Sequence, residues 1–124
     1  MIIDTHCHAG LHKYEPIQSL LYHMKEANVE KAVLIQHGGE FDNGYHVECQ
    51  NKFPGCFASA MLVHPNEGSD SIRKWADKGI VGIRLGASSR ALTSNPLEHW
   101  SSANQLDLVV SALGSPENFL SQEF

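Results

Sequence analysis

Little in this sequence marks an obvious class. Its three cysteines, Cys7, Cys49 and Cys56, are an odd number with no CxxC pair. That argues against a disulfide framework and a finger-type zinc site, and leaves them as small buried hydrophobes. No apolar run approaches the roughly 18 residues of a membrane span. The N-terminus lacks the basic region and long apolar stretch of a signal peptide. The expected location is therefore cytoplasmic, with no membrane partner. Basic residues are scarce: nine Lys and Arg stand against 14 Asp and Glu, for a net charge of −5. With no basic stripe, a nucleic-acid partner is not expected. GxGxxG, P-loop, HExxH and GxSxG patterns are missing, as are internal repeats and low-complexity segments.

What remains is a chain of 124 residues, 42% hydrophobic, enough for one globular core. It reads as strand, loop and helix in repetition. MIIDTHCH is a first strand. In EPIQSLLYHMKEAN, Ile17, Leu20, Leu21, Met24 and Ala27 form one helical stripe, with Pro16 suited to the first turn. KAVLIQH is a β-branched apolar run, a second strand. DNGYHVECQNKF predicts a helix capped by Asp42 or Asn43. CFASAMLVHP is a third strand, ended by Pro65. SDSIRKWADKG predicts a helix capped by Ser69 or Ser71 and stopped by Gly79. IVGIRLG, NPLEHWSSANQ (cap Asn95, then Pro96) and LDLVVSALG continue the rhythm, and SPENFLSQEF starts a fifth helix. Near-continuous apolar strands alternating with helices predict a parallel α/β sheet. It is either open and doubly wound or part of a (β/α)₈ barrel, which needs about 250 residues.

Eight histidines are a mild excess. Residues two apart on a strand share a face, so Asp4, His6 and His8 are expected on one side and Ile3, Thr5 and Cys7 on the other. His6 and His8 fall toward the C-terminal end of the strand, where α/β active sites form. Two imidazoles converging there can hold one divalent metal; the alternative is a buried pair bonded to backbone or carboxylate. Gln36 and His37 close the second strand and His64 the third. Arg84 lies between Gly82 and Gly86, which would leave room for its guanidinium to grip a carboxylate. Its alternative is a structural ion pair with Asp4. The candidate catalytic residues are therefore His64 and Arg84, and the candidate substrate contacts Arg84, Gln36 and His37. His12, His23, His46 and His99 read as surface or packing residues, and Asn43 as a helix cap.

IIDTHCH resembles the opening strand of the amidohydrolase superfamily, with its HxH metal-ligand pair. AVLIQHGGEFDNGYHVECQNKFPGCFASAMLVHP is similar to the lactonase-like, amidohydrolase-related branch. There a strand, a loop ending in Asp-Asn, a helix, Pro-Gly-x-Phe and a third strand follow in this order, and GIRLG resembles the fourth strand. The resemblance covers essentially all of this chain and about the first half of a family member. It implies an incomplete (β/α)₈ barrel of four to five βα units, with residues 1–124 as the N-terminal part of a metal-dependent hydrolase domain. It implies hydrolysis of a lactone, ester or amide of a small anionic molecule, or decarboxylation as in some relatives. It carries the metal ligands of the first strand onto His6 and His8, with zinc the expected ion. The lysine that bridges two metals in many members has no counterpart in GIRLG, nor has the fifth-strand histidine in VVSALG. The sixth-strand histidine and eighth-strand aspartate would lie beyond this chain. An isolated half would have open sheet edges and an uncovered face, so a homo-oligomer through those edges is expected. A non-catalytic half-barrel that binds a metal or a partner chain is the alternative.

Overall fold

A computed structural model of the chain describes residues 1–122 and 124. Among the described residues, five strands alternate with five helices. They are β1 (Ile3–Cys7), α1 (Ile17–Glu26), β2 (Lys31–Ile35), α2 (Gly44–Lys52), β3 (Phe57–Met61), α3 (Ser69–Asp77), β4 (Gly82–Gly86), α4 (Glu98–Gln105), β5 (Val109–Leu113) and α5 (Pro116–Phe119).

All four pairings are parallel and the sheet order is β1-β2-β3-β4-β5. This order decides between the two architectures. A doubly wound sheet reverses direction at a switch point, with helices on both faces. Here each strand adds beside the last, so right-handed crossovers bring every helix to the same face. The result is a curled half-barrel, an incomplete (β/α)₈ fold.

The core lies between sheet and helices in two parts. Cys7, Ala32, Leu34 and Phe57 pack with Ile17, Met24 and Cys49 of α1 and α2. Met61, Ile83 and Leu85 pack with Ile72 and Trp75 of α3 and with Ala103 of α4. The opposite face carries the alternate residues. Paired positions share a face, so the Ala60–Gly82 and Gly82–Val109 pairs put Val109 there, on an edge strand and 71% exposed.

Several helix starts differ from expectation. Asn43 stands at the head of α2 but is fully buried, and its side chain bonds elsewhere. Its Nδ2 donates to the carbonyls of Leu62 (3.0 Å) and Phe41 (3.2 Å), and its Oδ1 accepts from Leu62 N (3.1 Å). It ties the helix to the chain leaving β3. Asp42 does the local capping, accepting from Gly44 N at 2.9 Å. For α3, neither Ser69 nor Ser71 caps the helix; Glu98, 29 residues away, accepts from Ser69 N at 2.8 Å. Gly79 does end that segment, at φ +94°.

Candidate functional site

The site begins with an irregularity in β1. Asp4 pairs with Ala32 and Cys7 with Leu34, so three steps along β1 match two along β2. The extra residue is a bulge, and it resets the alternation. Asp4 now shares the helix-side face with Cys7, while His6 and His8, which flank Cys7, share the other. The expected trio of Asp4, His6 and His8 is thereby corrected to a pair. Asp4 secures the bulge: its Oδ1 accepts from His6 N at 3.0 Å, and its carboxylate takes the Cys7 thiol. The His6 amide, then the Cys7 thiol, hold the Asp4 carboxyl below its usual range. Burial, then Asp4, push Cys7 up to about 12, so it stays a thiol.

The His6 and His8 rings meet edge to face at 5.0 Å between centroids. His8 Nδ1 lies 2.8 Å from the Ile35 carbonyl oxygen. A carbonyl only accepts, so Nδ1 carries the proton and the neutral ring keeps its lone pair on Nε2. Burial holds the His8 pKa below the usual imidazole range, with His6, Arg84 and His37 acting in the same direction. At neutral pH this ring is an acceptor or a ligand.

Tyr14, on the loop between β1 and α1, stacks on His8 (4.6 Å, 22°) and tilts against His37 (5.1 Å, 54°). His37 is 9% exposed and follows Gln36, whose Oε1 accepts from the His37 amide. Gln36 Nε2 donates to the Asp42 carbonyl at 3.0 Å. Arg84 Nη1 donates to the Gln36 carbonyl at 2.8 Å, reaching from β4 past β3 to the end of β2. That bond replaces the ion pair considered with Asp4. The glycines beside Arg84 have a different purpose from the one expected. A Cβ on Gly82 would lie 3.0 Å from the Val109 carbonyl and 3.2 Å from Ala60 Cβ, and one on Gly86 would strike Ser89 Oγ. They admit a neighbouring strand and the returning loop, respectively.

His64 separates from this group. His64 lies with Phe41, its ring at 4.8 Å, and accepts from Asn66 N at 3.2 Å. It lines an open cavity of about 540 Å³ with Glu67, Ser71, Lys74 and Trp75 on the helix side. Arg84 also lines a 240 Å³ cavity with Arg90, Ser89, His99 and Trp100. Arg90 escaped the sequence reading because it sits in an irregular loop, six residues past Arg84. His46 and His99 are packing residues as expected, each near a carbonyl, Ala9 at 3.2 Å and Glu67 at 2.7 Å.

As a metal site the group is partial. It offers two imidazoles, one with its tautomer fixed by a carbonyl in the way metal-binding histidines are commonly held. No cluster of three or more His, Cys, Asp or Glu suited to a metal occurs among the described residues. The donor set fits a divalent ion as two of the three protein ligands of a catalytic site.

No family model matches the chain, and no curated protein does. Solved structures do match its fold. One is a probable 2-pyrone-4,6-dicarboxylic acid hydrolase from Acinetobacter baumannii with citric acid bound. It is 22% identical with a TM-score of 0.77, over 96% of this chain and 51% of that one. A candidate 2-pyrone-4,6-dicarboxylic acid hydrolase from Pseudomonas putida matches at 16% identity and TM-score 0.69, over 89% and 47%. A TatD homolog from Escherichia coli K12 matches at 18% and 0.59, over 90% and 49%. The likeness establishes the fold. The chain spans about half the length of the structures it matches.

Proposed function

We propose that this chain supplies the first half of a barrel hydrolase of the amidohydrolase-related, lactonase-like type, acting on a lactone, ester or amide of a small anionic molecule. The observation that carries it is the His6–His8 pair at the carboxyl end of β1, with the His8 proton held on Nδ1 by Ile35. In this reading His6 and His8 hold a divalent metal, zinc being suited to two imidazoles. When bound, such an ion polarises a carbonyl or lowers the pKa of a water.

The chain's own residues prepare the rest. Arg84 is steadied by one bond to the Gln36 carbonyl and lines the cavity that Arg90 also lines. Two guanidiniums beside one cavity favour a carboxylate-bearing substrate. The dicarboxylic acid named for two of the structural neighbours is of that kind. Gln36 and His37 border the same strand ends and would contact the substrate. His64, on the helix side of the β3 end, is left out of the reacting group. The general base and a third metal ligand would come from strands opposite this half.

Zinc titration tests the metal role. The chain should take up zinc weakly, at or below one ion per chain, and the His6→Ala/His8→Ala double variant should take up none. Equal uptake by both would remove the pair from the metal role.

A further inference from the structure

We infer that Tyr14 is a positioning residue for His8; the inference deepens the reading of the His6–His8 pair given above and rests on it. His8 is fixed along one direction by the 2.8 Å bond from Nδ1 to the Ile35 carbonyl. A single hydrogen bond still lets the ring pivot about the line joining Nδ1 to its acceptor. A flat partner on one face removes that freedom. The Tyr14 ring is such a partner, nearly parallel to His8 at 22° and 4.6 Å away. Tyr14 is itself braced. His37 tilts against it at 5.1 Å, and the loop that carries it is closed by Gly10 N donating to the Glu15 carbonyl at 3.1 Å. The Lys13 ammonium lies 5.8 Å from the ring centroid, within cation–π range. His8 is thus held by a carbonyl at one nitrogen, a ring across one face and the edge-to-face contact with His6. Nε2 is the atom left to meet a metal or a proton.

The role predicts a loss of order at His8. Long-range ¹H–¹⁵N correlation spectra of the full 124-residue chain, without metal, report which ring nitrogen carries the proton. The wild type should show His8 as a single Nδ1–H tautomer. Tyr14→Phe keeps the flat ring and should look the same. Tyr14→Ala should give averaged ring nitrogens for His8 and lose the ring-current shift of its protons. Zinc added alone should then bind about 10-fold more weakly to Tyr14→Ala than to the wild type or Tyr14→Phe, the lower end of what removing a ligand's support costs. Tyr14→Leu keeps bulk without a flat face and gives the same comparison should the alanine variant not fold. An unchanged His8 tautomer and zinc affinity in Tyr14→Ala or Tyr14→Leu overturns the inference, as does a wild-type His8 already averaged. The tautomer measurement needs neither metal nor turnover. A wild type that holds the predicted tautomer yet ignores zinc would therefore overturn the metal reading and leave the role of Tyr14 standing.

Discussion

His46 is 1% exposed, and its Nε2–H donates to the Ala9 carbonyl. Its Nδ1 has no hydrogen-bond partner. A second proton there would be buried without an acceptor. Burial accordingly holds the His46 pKa below the usual imidazole range. The unfolded chain titrates near the ordinary value of about 6.5. Stability from the neutral ring is therefore complete above about pH 6.5 and declines as pH falls below it, toward the lower folded value. His8, also lowered, adds to the same trend. Urea midpoints measured from pH 7.5 down to pH 5 should fall, and the His46→Gln variant should fall less steeply. Parallel curves for the two proteins would refute this role of His46. Single residues such as this mark the limit of the sequence. Alternation along MIIDTHCH places His6 and His8 together correctly, because they lie on the same side of the bulge. It misplaces Asp4, which lies before it, since one inserted residue has no signature in composition. Tyr14 was invisible for a different reason: a loop residue meets His8 only through the path the loop takes.

Local caps follow the same logic among the elements. The order of strands and helices was legible because each strand is an apolar run and each helix a periodic one. The ends were less so. Gln36, His37 and His64 lie past the last paired residues of β2 and β3 rather than within them. The head of α3 was unreadable because its partner is distant in sequence. Glu98 takes Ser69 N on one oxygen and the Thr93 hydroxyl on the other, joining α3, α4 and the loop between β4 and α4. Those two donors hold the Glu98 carboxyl below its usual range, the Thr93 hydroxyl acting more strongly. Gly68 makes the approach feasible: a Cβ there would sit 2.7 Å from Glu98 Oε1. Gly68→Ala must push that carboxylate away and so remove the cap. The variant is expected to be less stable than the wild type. Chemical denaturation would read it. Glu98→Gln in the Gly68→Ala background should add little, because the contact is already broken. A fully additive loss would show that Gly68 and Glu98 act separately.

At the scale of the molecule, a half-barrel leaves two free strand edges. Ile3 of β1 is 45% exposed, and Val109 and Leu113 of β5 are 71% and 36% exposed. Neither strand carries the lysine or proline that commonly guards an edge. Strand–helix alternation made the barrel a sequence-level candidate, but only the observed strand order excluded the open sheet. Catalysis faces a shortage of groups. On the proposed reading His6 and His8 would serve as metal ligands and Arg84 and Arg90 as substrate contacts, and a third metal ligand and a general base would come from elsewhere in a complete barrel. A missing acid or base alone typically removes about 10²–10⁴ in rate. The 124-residue chain should therefore hydrolyse a carboxylated lactone at close to the background rate, with zinc supplied. Its specific activity should stay flat across a dilution series. Self-association through the free edges gives the opposing outcome. Two copies facing one another would offer His6, His8 and Arg84 twice, and activity per chain would then rise with concentration. It would also fall when His6→Ala/His8→Ala chains are mixed with wild type. A flat, near-background series upholds the half-site reading. Substantial turnover that does not change with dilution would refute it, and would require the base to be found among residues already present, such as His37.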